Sequence, residues 1–274
     1  MTVQTVNTAA ALDATDRLLA RGVLFRALKL GLDRPGEATC RALFGKEGRE
    51  TLSRAARSLD EGVPGPLGAA VDRLCSLAEP GLDELQLAHE RLFGHTLRGR
   101  VCPYECEYGH RALLQQAQEL ADLSGYYAAF GLRASETRHE RPDHIACQFE
   151  FLEFLVRKEC WALAHADAEM AEVTRSAARL FLGDHLARFG RAFARSLQKA
   201  SPDDLYGSLG ALCEALLRVE CERLDLELGP QVLELRSTEP DGVPMACGSG
   251  DDQLVQLGSA ERGGPPGAEP GEPK

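Results

Sequence analysis

From about Ala10 to Leu228 apolar side chains recur every three or four residues, the spacing of helix faces turned towards a shared core. The first predicted helix runs from near Leu12 to Leu30 and sets Leu18, Leu19, Leu24, Phe25 and Leu28 inward; Gly31 and Asp33-Arg34-Pro35-Gly36 then break it. Helices are predicted at 37–44, 47–60, 67–78 and 82–93, with Gly62-Val63-Pro64-Gly65-Pro66 separating the second pair from the first. A connection from Gly94 to Pro103 leads into a helix predicted to continue to Phe130 with a bend at Gly109, followed by a loop at 131–140. Helices at 142–166, 167–199 and 203–227 complete the pattern, Ser201 being the expected N-cap of the last. In Glu140-Arg141-Pro142-Asp143-His144 the proline suits a first helical turn and Asp143 complements the helix dipole. The expected fold is all-α, a single-domain helical bundle over 1–228.

After Gly229 the periodicity stops, and the stretch to Lys274 is rich in Gly, Pro, Glu and Asp, with eight acidic and three basic residues. It is expected to be a disordered acidic tail spanning 229–274. Elsewhere Ala, Leu, Glu and Arg dominate and aromatics make up only 6% of the chain, a helix-forming composition with few strand-like runs. The net charge of -11 argues against a nucleic-acid partner, which would require a basic face, and suits a cationic one. The amino terminus does not read as a secretory signal, and no run approaches the length of a membrane span. Nine cysteines, odd in number and scattered through helical segments, fit reduced thiols and a cytoplasmic location.

No phosphate-cradling loop, dinucleotide fingerprint, zinc-protease motif or CxxC pair is present, so a nucleotide-hydrolysing or zinc-protease activity has no support in the sequence; no enzyme activity and no cofactor is assigned. Cys102, Cys106 and His110 would share a helix face if the helix began early enough, and could then hold zinc with an outside fourth ligand. Pro103 as the first helical residue would leave Cys102 outside, and no metal site is assigned. Beyond Pro142 three stripes follow at helical spacing. Ile145, Phe149, Leu152 and Val156 form an apolar one; Asp143, Cys147, Glu150 and Phe154 a mixed one; His144, Gln148, Phe151 and Leu155 a third. Asp143 and Glu150 on one face could serve as a general acid/base pair or hold a cationic peptide. The plainer alternative has Asp143 stabilising the helix start and His144 making a local hydrogen bond.

Three pieces in order resemble the TorD family of redox-enzyme maturation chaperones, which includes DmsD-like and NarJ-like proteins. They are Cys102-Pro103-Tyr104-Glu105 with Tyr108-Gly109; Asp122-Leu123-Ser124-Gly125-Tyr126-Tyr127-Ala128-Ala129-Phe130-Gly131; and Glu140-Arg141-Pro142-Asp143-His144-Ile145 with Gln148 to Leu152 and Lys158-Glu159. The resemblance spans roughly residues 12–228 and implies a TorD-like all-helical domain. It also implies binding to the amino-terminal leader of a molybdoenzyme catalytic subunit, usually a twin-arginine leader, while that apoprotein waits in the cytoplasm for molybdenum cofactor insertion. Leu92, Phe93, Pro103 and Tyr104 are expected to supply an apolar groove, with His144 beside them. Asp143, with Glu140 and Glu150, is expected to take the leader arginines through charge-assisted hydrogen bonds, so that Asp143→Ala would weaken binding with little loss of fold. Gln148, Phe149, Leu152 and Tyr126 depart from the commoner Glu, Leu, Met and Phe. The alternatives are a NarJ-like assembly chaperone for a non-exported molybdoenzyme, recognising a helix without twin arginines, and an enzyme using Asp143, His144 and Glu150. The resemblance also admits molybdenum cofactor delivery proteins as partners, and either a monomer or a dimer swapped through hinges at 94–103 and 131–140.

Overall fold

The computed structural model describes residues 2–62, 64–94, 99–109, 113–133 and 140–236. In chain order the helices are α1 (Thr2–Leu32), α2 (Glu37–Leu43), α3 (Lys46–Leu59), α4 (Pro66–Cys75), α5 (Leu82–Phe93), α6 (Leu113–Ala129), α7 (Ile145–Ala164), α8 (Ala168–Phe181), α9 (Ala187–Ala200) and α10 (Leu205–Leu224). A 3-10 turn at Glu105–Glu107 precedes α6, and a π-helical turn at Leu182–Leu186 joins α8 to α9 without a break. Among the described residues there is no strand, only two isolated bridges. None of their helices is long and apolar enough to cross a membrane.

α1 is the central strut, packed against α7, α10 and α3. Leu24, Phe25 and Leu28 are fully buried, and the Phe25 ring stacks on Phe149 of α7 at 6.2 Å. Between α1 and α10 Arg21 gives a buried two-pronged bond to Glu220, at 2.7 and 2.8 Å. Gly31 does not end α1. A Cβ there would lie 2.6 Å from the Leu209 side chain, so the glycine permits a close approach of α1 to α10 while the helix continues to Leu32. Leu19, expected inward, is 50% exposed.

The sequence reading fails most between Gly94 and Ile145. No helix starts at Pro103: residues 103–108 run extended and then through the 3-10 turn, and Gly109 adopts φ +83°. The physical reason is competition for backbone donors. The Glu105 amide goes to the Asp143 carbonyl at 3.1 Å, and the Cys106 amide to the Asp143 carboxylate at 3.1 Å, rather than to carbonyls one turn back. Likewise α7 begins at Ile145, not Pro142, because the Pro142 carbonyl accepts the Tyr127 hydroxyl and the Asp143 carbonyl is occupied by Glu105. His144 is the N-cap, its Nδ1 accepting the Ala146 amide at 3.1 Å. At α10 the N-cap is Asp204, which accepts the Tyr206 and Gly207 amides, and Ser201 instead closes α9. Residues 229–236, expected to belong to the tail, lie along the molecule. Leu235 bridges to Tyr108, and the Arg236 amide donates to the Glu107 carbonyl at 2.9 Å. The rest of the expected tail, His110, residues 95–98 of the first expected hinge and residues 134–139 of the second lie outside the described residues.

Candidate functional site

The segment around Asp143 is built around a buried polar spine. Asp143 is 0% exposed. Its carboxylate takes two of the three arms of Arg141, from Nε at 2.9 Å and Nη2 at 2.8 Å, as well as the Cys106 amide. The third arm of Arg141 reaches Glu107 Oε1 at 3.2 Å, and Gln116 Nε2 donates to the same oxygen at 3.2 Å. Gln116 in turn accepts from Arg236 at 2.9 Å. On the other side Gln148 Nε2 donates to Glu105 Oε2 at 2.8 Å, and His185, carried inward by the π turn, lies 3.2 Å from Glu105 Oε1. The Gln148 amide explains the departure from glutamate at this position, since a second carboxylate facing Glu105 would need a shared proton. Gln148 Oε1 is buried without a partner among the described residues.

Two histidines in this spine are pushed in opposite directions. Burial holds His144 below its ordinary value, so it stays neutral and its Nδ1 remains free to accept the cap bond. Burial alone would also lower His185, but Glu105, Asp122 and Asp184 outweigh it and the imidazole titrates above its ordinary value.

Beside the spine, between the end of α1, the end of α6 and the first half of α7, lies a groove of about 430 Å³. Tyr127, Leu132, Pro142, Ala146, Cys147, Phe151 and Phe154 give it an apolar floor. Phe151 is held from several sides, with Phe181 at 4.7 Å, Tyr127 at 5.0 Å and Phe130 at 5.7 Å, so the floor is rigid. Burial pushes the Cys147 thiol up to about 12, so it acts as a small apolar group. The rim carries Asp33, Glu140, Glu150 and Glu153, together with Lys29, Arg133 and Arg157. Lys29 lies 3.3 Å from Glu150, and Glu153 is approached by Arg26 at 3.5 Å and Arg157 at 3.8 Å. Glu140 differs: it is exposed, and among the described residues its hydrogen-bond partners, the Tyr104 hydroxyl at 2.9 Å and the Arg141 amide at 3.1 Å, are neutral donors.

The residues singled out from the sequence therefore divide. Glu140, His144 and Glu150 line the groove. Tyr104 is half-buried next to it, its ring edge-on to His144 at 5.2 Å and under the Arg141 guanidinium at 4.8 Å. Pro103 is buried, with its carbonyl bonded to the Ile145 amide at 2.9 Å. Leu92 and Phe93 are core residues, each 4% exposed, and Phe93 packs on Tyr206 and Phe193. Asp143 faces Arg141 rather than the groove. Cys102 and Cys106 are buried off any α-helix, and no cluster suited to a metal occurs among the described residues. Arg141, Glu105, Glu107, Gln148 and His185 were not assigned roles from the sequence. Arg141 could have been, because an arginine two residues before an aspartate in a turn can fold back on it; the others meet only through the tertiary fold.

A family model described as nitrate reductase delta subunit matches residues 57–195, a span that includes the 3-10 turn, α7 and the π turn. The dimethyl sulfide dehydrogenase assembly chaperone protein of Rhodovulum sulfidophilum is 30% identical over 255 residues, covering 90% of this chain and 97% of that protein. The selenate reductase assembly chaperone protein of Thauera selenatis is 33% identical over 168 residues, 58% of this chain and 83% of that protein. The chlorate reductase assembly chaperone protein of Ideonella dechloratans is 31% identical over 105 residues, 38% of this chain and 52% of that protein. All three relatives are assembly chaperones. The chain thus belongs to the nitrate reductase delta subunit family of redox-enzyme maturation chaperones, and is not itself an enzyme.

Proposed function

We propose that this chaperone binds the amino-terminal leader of a molybdoenzyme catalytic subunit in the groove beside α7, in the cytoplasm, and holds that subunit for cofactor insertion before export. The observation that carries this reading is an apolar, aromatic-braced floor bordered by carboxylates. A leader with an apolar stretch next to arginines requires both kinds of surface within a few ångströms. Glu140 is the first receptor for an arginine, because it is exposed at the rim, its partners among the described residues are neutral donors, and a guanidinium there adds a charge-assisted bond. Glu150 is the second, reached by exchange with Lys29. The apolar stretch lies over Phe151 and Phe154, with Tyr104 and His144 as a side wall. Asp143 acts through Arg141 and the Cys106 amide, fixing the wall instead of touching the client, and Leu92 and Phe93 support it from the core.

The test is photo-crosslinking with a synthetic leader carrying benzophenone in its apolar stretch. Adducts on the fragment spanning Ala146 to Arg157 are expected. Adducts confined to other helices would overturn the groove assignment. Equal capture of a leader whose arginines are replaced by alanine would favour the NarJ-like alternative, in which a helix is recognised without arginines.

A further inference from the structure

A second charged surface lies on α9 and α10 and has the opposite sign. Arg188, Arg191, Arg195 and Lys199 fall within an arc of roughly 80° on α9 and extend over about 16 Å of helix. Arg191, Arg195 and, from α10, Arg218 converge on the single carboxylate of Glu214, at 3.4, 3.3 and 3.8 Å. Gln198 donates to the same carboxylate at 3.1 Å, so its acceptor capacity of about four sites is nearly used. Each guanidinium has five N–H groups, of which Arg195 gives one more to Gln231 at 3.1 Å. The Arg195 and Arg218 side chains are each 45% exposed. Glu222, one turn beyond Arg218, is the other carboxylate on that stripe of α10. Arg188 stands beside Asp184 and Glu227 at the near end of the helix; beyond it Arg191, Arg195, Lys199 and Arg218 stand against Glu214 and Glu222, on a chain whose net charge is -11.

We propose that this face docks an acidic protein surface, a carboxylate-rich segment of a partner other than the leader. Charge complementarity selects the class. A cationic leader is repelled here and attracted at Glu140, so the two faces engage partners of opposite sign. A long polyanion such as RNA would have to overcome the acidity of the rest of the chain beyond a short basic stripe. The exposed arginines, Arg195 and Arg218, stand side by side on the outer faces of α9 and α10, with Lys199 one turn further along, which suits a row of carboxylates. This surface does not depend on the leader-binding reading.

The test uses the full chain and fluorescently labelled hexaglutamate, read by anisotropy at about 20 mM salt, where the Debye length exceeds 20 Å. Hexaglutamate is expected to bind, and to bind at least about tenfold more weakly to R195Q/R218Q, which removes two charge-assisted donors. E214Q removes the internal competitor and is expected to tighten binding by about threefold. Urea unfolding checks that each variant is folded; should R195Q/R218Q be unstable, the tightening in E214Q decides alone. No binding by the parent chain, binding unchanged in the folded variants, or tighter binding of tripolyphosphate or an RNA oligomer than of hexaglutamate would each overturn the proposal.

Discussion

Replacing Asp143 by alanine removes the acceptor for two Arg141 donors and for the Cys106 amide, at 2.9, 2.8 and 3.1 Å. The Cys106 amide is then left buried without a partner, which costs about 1–3 kcal/mol. Removing one member of a buried ion pair costs about 3–5 kcal/mol in all. Arg141 keeps Glu107 at 3.2 Å and its side chain is 24% exposed, so water relieves part of that cost. The expected loss is therefore about 3 kcal/mol, the lower end of that range. For a domain of this size that corresponds to a fall in Tm of roughly 6–12 °C. Urea unfolding at neutral pH measures it directly. A double-mutant cycle with Arg141→Met isolates the pair, with an expected coupling of about 2 kcal/mol. Leader affinity in Asp143→Ala should fall only as far as the groove wall loosens. A stability loss below about 1 kcal/mol with a tenfold loss of leader affinity would refute the reasoning, because Asp143 would then meet the client itself.

Three further outcomes follow from the same geometry. His185 has a raised folded-state pKa, so its contribution is fully present below about pH 6.5 and is lost as pH rises through the folded value; His185→Gln should flatten stability across that window in denaturant titrations. Burial alone would raise Glu220, but Arg21 and Arg223 outweigh it and hold the carboxyl below its ordinary value. The stability difference between the parent chain and Arg21→Met, about 3–5 kcal/mol at neutral pH, should therefore shrink as pH falls below about 4, measured by unfolding at several pH values. Phe154→Ala, on the groove floor, should weaken leader binding by about 1–2 kcal/mol in calorimetry while shifting Tm little, since the ring is only partly buried in the free protein.

What could be read from the chain alone follows the reach of each interaction. Ile145, Phe149, Leu152 and Val156 are all buried, as their spacing required, because helical periodicity is a local signal. Glu150 and Phe154 reached the groove for the same reason: a mixed stripe next to an apolar one marks the edge of a buried face. The burial of Asp143 was not legible because its partners, the Cys106 amide and the 3-10 turn, lie far away in sequence and displaced a helix that propensity favoured at Pro103. Leu92 and Phe93 end a helix whose apolar face reads the same whether it lines a groove or a core; only the packing of Phe93 on Tyr206 and Phe193 separates the two. The basic stripe of α9 was legible as residues, but not as a surface, until α10 brought Arg218 and Glu214 alongside it.

The most direct measurement of leader recognition is calorimetric titration of the full chain, and of Glu140→Gln, with the leader of the client subunit and with an arginine-to-alanine version of it. Micromolar or tighter binding by the parent chain is expected, weakened by about 1.5–3 kcal/mol when either the leader arginines or the Glu140 charge is removed, and by little more when both are. Tight binding that ignores both changes would contradict recognition of arginine at the groove rim, and no binding of either leader would contradict leader binding itself.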